Sequence, residues 1–451
     1  MKVIKVARSL KHFQKLIPAR HYISLLSRNG SAIKNKIYQW NGKEFNNVTS
    51  LDVSVYNKGY IPKGLISYSN KYIISRYTIA GYLWAWGRNQ YGQLGFANGV
   101  GHYTTPQKIS GQENILRIAA ANHSLILKVD GTVWGTGYNA YGQIGDGTEE
   151  NKSEFTQTLG IGGSGYLENV KAISCSMGGH SLAILADNTL AGWGNNGSGQ
   201  LGENGGAIEE HVPILCNITD VISVQAGHSA TIVLKSDGTV WATGRNAEGQ
   251  LGQGNHANSS TFLQVKDSTG TGYLTDIIEI AGSGGGSYHF MALKSDGTVW
   301  AWGYNAYGQC GAGDTEAYKT LPVQVIKEDG TPLTNIKHIA VGGSCSFAIT
   351  ENGEVYCWGH NGYGQLGLGT TQSHSKAQLN PNINNVTKIS SGWGHTFFLK
   401  NDGTLYACGY NYYGQLGDGT TQTRLTPVLI DIEGAVIDIA AGYHHSLAIT
   451  T

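Results

Sequence analysis

A tract of the form G-x-N-x-x-G-Q-L-G returns seven times in this chain, beginning at Gly87, Gly137, Gly194, Gly244, Gly303, Gly359 and Gly409. The Asn, second Gly, Gln and last Gly are present in every copy, and the Leu position changes only to Ile144 and Cys310. Intervals of 50, 57, 50, 59, 56 and 50 residues describe a constant unit with insertions in the second, fourth and fifth copies, and such insertions belong in loops. Repeats of this length bury apolar surface against their neighbours. They therefore escape the ceiling of roughly 250 to 300 residues that limits an ordinary single core. Glycine supplies 65 of the 451 residues without any collagen-like triplet, and only 14% of residues are charged beside 25 Tyr and 10 Trp. That balance favours short ordered strands and tight turns over long solvated helices.

Each unit also carries a second tract, ideally G-x-x-H-S-L-A-L, centred on His123, His180, His228, His289, His395 and His445, with Cys345 replacing the histidine in the fifth unit. An Asp-Gly turn follows, as at Asp130-Gly131, Asp237-Gly238, Asp296-Gly297 and Asp402-Gly403, and then a strand such as Thr298–Trp302. The two strands read as a β-hairpin with a tight primed turn. The apolar stretch before the histidine, such as Ile437–Tyr443, adds another strand, which makes about four per unit. Seven such units predict an all-β, seven-bladed β-propeller over residues 80–451, because radial closure leaves only short, protected sheet edges. The last unit reaches Ser446–Thr451 where its hairpin partner is due, while the first strand, Tyr82–Gly87, lacks the strand that precedes all the others. These N- and C-terminal strands are expected to pair and close the ring.

The paired tracts closely resemble the regulator of chromosome condensation repeat family over residues 80–451. The style of the repeats and of the G-T-G-Y-L-T and G-T-P-L-T inserts resembles bacterial and phage members. The resemblance implies the propeller fold. For function it implies only a range, from nucleotide exchange on small GTPases to chromatin binding, accessory domains of ubiquitin ligases and bacterial effectors.

No catalytic constellation stands out, so the chain is read as a non-enzyme without cofactor or metal. There is no G-x-S-x-G tract, and the Gly282–Gly286 run lies inside a blade rather than between a strand and a helix, as a phosphate loop requires. Asp146–Glu150 lacks the alternating carboxylates of a calcium loop and reads as a turn. Cys175, Cys216, Cys310, Cys345, Cys357 and Cys408 are far apart with no C-x-x-C pair and read as small core residues. A histidine needed once per blade is a structural device, its imidazole bonding groups between strands or blades. His444, beside the motif His445, is expected to be exposed. The Asn and Gln of the first tract are read as partners for loop backbone groups.

Recognition is expected where the repeat varies. The fifth residue of the first tract is Tyr91, Tyr141, Ser198, Glu248, Tyr307, Tyr363 or Tyr413, and the second is Arg88, Tyr138, Asn195, Arg245, Tyr304, His360 or Tyr410. Tyr and Arg give large contact area with a polar tip. Arg88, Tyr91, Tyr138, Tyr141, Arg245, Tyr304, Tyr307, Tyr363, Tyr410 and Tyr413 are therefore the candidate partner-binding residues, with Tyr138, Tyr141, Tyr304, Tyr307, Tyr410 and Tyr413 expected on one face. The competing reading packs the tyrosines between adjacent blades.

Charge separates the chain into two parts. Residues 1–79 hold 14 Lys/Arg against Glu44 and Asp52, and residues 80–451 hold 17 against 29 acids. An acidic propeller is a poor nucleic-acid binder, since affinity for polyphosphate comes chiefly from Lys and Arg. The basic extension carries Lys2, Lys5, Arg8, Lys11, Lys15 and Arg20, with apolar residues at helical spacing over Val3–Leu26, which reads as an amphipathic basic helix. Targeting peptide, nucleic-acid or membrane-surface arm, and docking segment for a protein all fit that pattern. Residues 37–79 alternate apolar and polar residues around Asn41-Gly42 and read as a small β element. No run approaches the roughly 20 apolar residues of a membrane helix. The expected function is a non-enzymatic protein-binding module, anchored to a larger assembly by its arm and presenting propeller loops to a partner. Its expected setting is a bacterial cell surface or virion, with the cytoplasm as the other location. The alternative function is guanine nucleotide exchange on a small GTPase.

Overall fold

The structure, a computed structural model, describes residues 81–96, 101–203 and 205–451, together with the backbone of five strands between residues 22 and 77. The chain divides into two compact units, Met1–Ile79 and Ala80–Thr451. In the first, the five strands form an antiparallel sheet in the order Phe45–Val48, Ala32–Trp40, Tyr22–Asn29, Tyr72–Tyr77, Ile66–Ser67. Trp40 pairs with Phe45, so the two strands flank Asn41-Gly42 as the hairpin signal predicts. The helical reading of Val3–Leu26 is corrected at its end. Tyr22–Asn29 is extended and pairs with Ala32–Trp40 with Asn29 opposite Ala32, and the intervening Gly30-Ser31 is in sequence a two-residue hairpin signal with glycine first. Lys2, Lys5, Arg8, Lys11, Lys15 and Arg20 lie outside the described residues.

The second unit is a seven-bladed propeller of four-stranded antiparallel sheets. Blades 1 to 6 span Ile115–Gln157, Val170–Leu215, Val221–Gln264, Ile277–Gln324, Ile336–Leu379 and Val386–Ile430. Blade 7 is shared by the two ends of the unit: Val436–Ala441 and His445–Thr450 supply the inner strands, Tyr82–Arg88 and His102–Lys108 the outer ones. Ser446 pairs with Trp86, Leu447 with Ala85, Ala448 with Trp84 and Ile449 with Leu83, so the ring closes as the repeat predicted.

Burial follows distance from the axis. The second strand of each blade is almost wholly buried, as in His180–Leu185 and His289–Lys294, while the outermost strand is mostly half-buried or exposed, as in Lys152–Gln157. This is why the second strand reads as a continuous apolar run and the outer one as a mixed sequence. The core is a set of wedges between neighbouring blades, such as the cluster in which Trp302 of blade 4 packs against Leu234 and Val240 of blade 3. The six cysteines are all buried and free, as expected of core residues.

The Asp-Gly turns differ from the primed form. Leu127 pairs with Val133, and Lys128 N–H bonds to Thr132 O at 2.9 Å, which leaves a three-residue loop with only Gly131 at positive φ. A primed turn would need Asp130 there too, whereas this bulged loop spends its single left-handed residue on glycine. Asp130 instead accepts from the Thr132 amide and hydroxyl.

Neighbouring blades are clamped by the histidine tract. The Nε2 of His123, His180, His289, His395 and His445 lies 2.8 to 3.2 Å from the hydroxyl of Ser181, Thr231, Ser346, Ser446 and Ser124 on the next blade. Each hydroxyl donates back to a tract glutamine carbonyl, as Ser446 does to Gln415 at 2.8 Å, and Trp86 Nε1 donates to the same oxygen at 2.9 Å. The hydroxyl proton is thus committed, so the imidazole donates through Nε2–H. Two corrections follow. His228 is not the motif histidine: Ala230 pairs with Gly244 just as His445 pairs with Gly87, so Ala230 occupies that place in blade 3. His444, expected exposed, is 8% exposed.

Candidate functional site: an aromatic face

The variable positions sit at the end of each third strand, where the chain leaves the sheet. The first glycine of the tract has φ of +91 to +105° in the seven copies, and a Cβ on Gly87 would lie 2.6 Å from His444 O. Only glycine lets the loop turn so close to the neighbouring strand. Behind that turn the tract asparagine accepts from the backbone five residues on, as Asn139 does from Ile144 at 2.8 Å. The tract glutamine accepts from the fifth residue, as Gln143 does from Tyr141 at 2.9 Å. The loop backbone is therefore held rigidly, and the side chains at its second and fifth positions project from a fixed platform.

The turn between the first and second strands of each blade ends on the same face, since Arg88 N–H bonds to His444 O at 2.9 Å. Rings from both loops form a continuous arc over blades 4, 5, 6, 7 and 1. Tyr304 meets Tyr307 at 6.3 Å, Tyr307 meets His360 at 4.5 Å, and His360 meets Tyr363 at 5.9 Å. Tyr363 lies 5.0 Å from Tyr410 and 5.2 Å from Trp393, which in turn touches Tyr443 and His444. His444 meets Tyr413 at 4.9 Å, Arg88 spans Tyr413 and Tyr91, and Tyr91 reaches Tyr138 at 5.0 Å, with Tyr141 beyond.

All ten sequence candidates lie on this face, and nine belong to the arc. The tenth, Arg245, stands apart on blade 3, where its guanidinium bonds Glu248 at 2.7 Å and lies over Tyr288. Blade 2 offers only Asn195 and Ser198 at these positions, so blades 2 and 3 form a polar gap in the arc. The candidate tyrosines are half-buried apart from Tyr307, which is exposed. They pack on neighbouring blades, as Tyr141 does on Gly179, and still present a ring edge to solvent. Sequence reasoning missed Trp393, Tyr443, His444 and Tyr288. They stand just before the second strand, at positions that vary as much as those of the first tract.

Electrostatically the arc is quiet. Burial and then Arg88 push His444 down to about 4, so its imidazole is neutral at physiological pH. Burial and neighbouring tyrosines push Tyr138, Tyr304 and Tyr410 up. Burial alone would raise Glu248, but the bonds from Arg245 and Gln250 hold it below its ordinary range.

The Gly282–Gly286 run has a role that its sequence did not disclose. Ser283 Oγ donates to Ser391 O at 2.9 Å, and Gly284 O accepts from Met177 N–H at 2.8 Å, which ties blades 6 and 2 to blade 4 across the axis. A Cβ on Gly284 would lie 2.5 Å from Ala120 O and 2.7 Å from Cys175 O. The run is a glycine plug that closes the central channel on the aromatic face.

The fold, its inter-blade clamp and its plugged axis define the class: a repeat propeller closed by its two ends, with rigid loops displayed on one face. The model of the RCC1-like domain matches residues 73–326 and 196–451, and the chain belongs to that family. Over 318 residues it is 30% identical to the E3 ubiquitin-protein ligase HERC2 of Mus musculus, covering 64% of this chain and 6% of that one. Over 304 residues it is 29% identical to the mitochondrial RCC1 domain-containing protein RUG3 of Arabidopsis thaliana, covering 64% of each. It thus spans less than two thirds of these relatives' length. The crystal structure of Prp20p from Saccharomyces cerevisiae superposes with a TM-score of 0.71 at 18% identity, covering 82% of this chain and 92% of that one. Among the described residues no helix is long and apolar enough to cross a membrane.

Proposed function

We propose that this chain is a non-catalytic binding propeller that receives a protein partner on its aromatic face. The observation that carries the reading is the arc of rings over five adjacent blades, bridged at Tyr413 and Tyr91 by the Arg88 guanidinium and mounted on loops whose backbone is fixed by Asn and Gln. Half-buried tyrosines and a tryptophan lose little side-chain entropy on binding and offer large area, which is the composition of interface hot spots. The structure of Prp20p was described with its binding properties to Gsp1p and histones, so a propeller of this fold takes protein partners. The basic segment of residues 1–79 is the anchor to a larger assembly. The relatives named above are a mouse and a plant protein, and they lend no support to a bacterial-surface or virion setting.

The test is affinity capture with the full chain, followed by titration of the captured partner against wild type and Tyr304→Ala/Tyr307→Ala. A loss of at least about tenfold with an unchanged melting temperature supports the face. Unchanged affinity in a folded ring rejects it. A nucleotide-release assay on small GTPases separates this reading from exchange activity, which would appear as accelerated release.

A further inference from the structure

The innermost strands enclose a central cavity of about 490 Å³, lined from Arg117 at one end to Gly282–Gly284 at the other. With the plug in place the cavity is blind, opening only on the face away from the aromatic arc. Its wall combines branched apolar residues such as Ile173 and Ile222 with small and polar residues of the seven inner strands. Ser174 and Ser390 accept from Ala226 and Ala441 amides and keep a hydroxyl proton to give, while the Ser223 hydroxyl and the Gln225 side-chain amide make no protein hydrogen bond among the described residues. Enclosed volume with several convergent polar groups is the usual form of a small-molecule site.

The mouth carries a ring of one residue per blade: Arg117, Ala172, Ser223, Glu279, His338, Lys388 and Asp438. Lys388 is paired with Asp438, so those charges cancel. His338 Nδ1 lies 3.3 Å from Glu279 Oε2, which leaves Oε1 without a protein partner among the described residues. Arg117 makes only one bond, to its neighbour's carbonyl at Leu116, and has no ion pair among the described residues. The ring therefore offers one guanidinium on blade 1 and one carboxylate edge on blade 4, as far apart as two blades of a sevenfold ring can be. The short Ala172 and Ser223 leave the space between them open.

We infer that this blind channel binds a short zwitterionic peptide. Arg117 takes the terminal carboxylate, Glu279 takes the terminal ammonium, and the peptide groups bond Ser223 and Gln225. A ligand of zero net charge also suits an acidic propeller, which at long range repels free anions. An Arg–carboxylate contact is charge-assisted and two-pronged, so it dominates orientation.

The probe is triglycine, titrated calorimetrically into the full chain, with triglycinamide and N-acetyl-triglycine as analogues lacking one terminal charge each. Triglycine is expected to bind, and each analogue to bind about tenfold or more weakly. Arg117→Gln is expected to weaken triglycine by the same factor while leaving triglycinamide unchanged, and Glu279→Gln to behave in the same way toward N-acetyl-triglycine. That non-additivity identifies the partners of the two termini. No triglycine binding at about 10 mM, a concentration that reports even millimolar affinity, overturns the assignment. So does an Arg117→Gln effect that adds to the loss of the carboxylate. Unchanged tryptophan fluorescence and melting of both variants separate these results from misfolding.

Discussion

The Nε2 of His445 lies 2.8 Å from the Oγ of Ser124, two residues separated by 321 positions in sequence and joined across the seam between blades 7 and 1. Ser124 donates its proton to Gln93 O at 2.7 Å, which fixes His445 as a neutral donor whose Nδ1 has no hydrogen-bond partner among the described residues. The same holds for His123, His289 and His395, while His180 Nδ1 meets Ser176 Oγ at 3.1 Å. Protonation would place a charge on a fully buried ring. Burial accordingly pushes all five down to about 3.

The pH dependence of stability follows with a definite sign. In the unfolded chain these imidazoles titrate near 6.5, and in the folded ring near 3, so between those values the unfolded state binds more protons. The contribution of these histidines is constant above about pH 7 and falls as pH drops through the window, by about 1.4 kcal/mol per pH unit for each histidine fully engaged. Urea midpoints measured from pH 7.5 to 4.5 should fall steeply, and more gently in His445→Gln. A slope the variant leaves unaltered would show that the clamp is not the titrating element.

Blade 3 breaks the clamp in a compensated way. Ala230 stands where the histidine is due, and the serine position on blade 4 is Phe290, with both side chains buried in one cluster. The phenyl ring occupies the space of the missing hydrogen-bonded pair. Phe290→Ser alone should cost about 3 to 5 kcal/mol through the cavity it leaves, and Ala230→His alone about 1 to 3 through overpacking. The double substitution restores a His–Ser pair, so denaturation should show it more stable than the sum of the single changes by at least about 1 kcal/mol. Simple additivity would mean that the two sites are not a unit.

The glycine plug makes its own prediction. Gly284→Val sets a branched side chain against the Ala120 and Cys175 carbonyls, so the loop must withdraw from the axis. Hydrogen exchange of the Met177 amide, which bonds Gly284 O at 2.8 Å, is expected to accelerate at least tenfold, while amides of the second strands, such as Leu182, keep their protection. Uniform acceleration would instead indicate global destabilisation.

Periodicity made the ring, its closure and its buried histidines legible, because each rests on a pattern that recurs around the ring or on what its two end units lack. Departures from the pattern were not legible. His228 was matched by its Gly-His-Ser letters, yet strand register is set by pairing, and pairing puts Ala230 opposite Gly244. The glycines at 282–286 resembled a phosphate loop only as letters. Their cause is the close approach to three other backbone segments, at Ala120, Cys175 and Gly392-Trp393, which no local sequence signal encodes. The tyrosine face was half legible: the first tract announced its tyrosines, while Trp393 and Tyr443 lie in a second loop brought beside them only by the sheet.

Trp393 gives the sharpest prediction for the face. It is half-buried on the inner turn of blade 6 and touches Tyr363, Tyr410, Tyr443 and His444 at 5.2 to 5.7 Å, so it joins the two loop systems that make the arc. The wholly buried Trp358 packs between blades and donates Nε1–H to Gln309 O at 2.9 Å. Trp358→Ala should cost about 3 to 5 kcal/mol of stability, whereas Trp393→Ala should cost about 1 kcal/mol, because less area is lost from the core. Partner affinity should invert that order. Trp393→Ala is expected to weaken binding at least tenfold, as a central aromatic anchor does. The loss should persist from 0.05 to about 0.5 M salt, since the neutral rings around Trp393 are not screened, whereas any contribution of the basic arm fades over that range. A Trp393→Ala chain that melts normally and holds its partner with wild-type affinity would remove the aromatic face from the binding site.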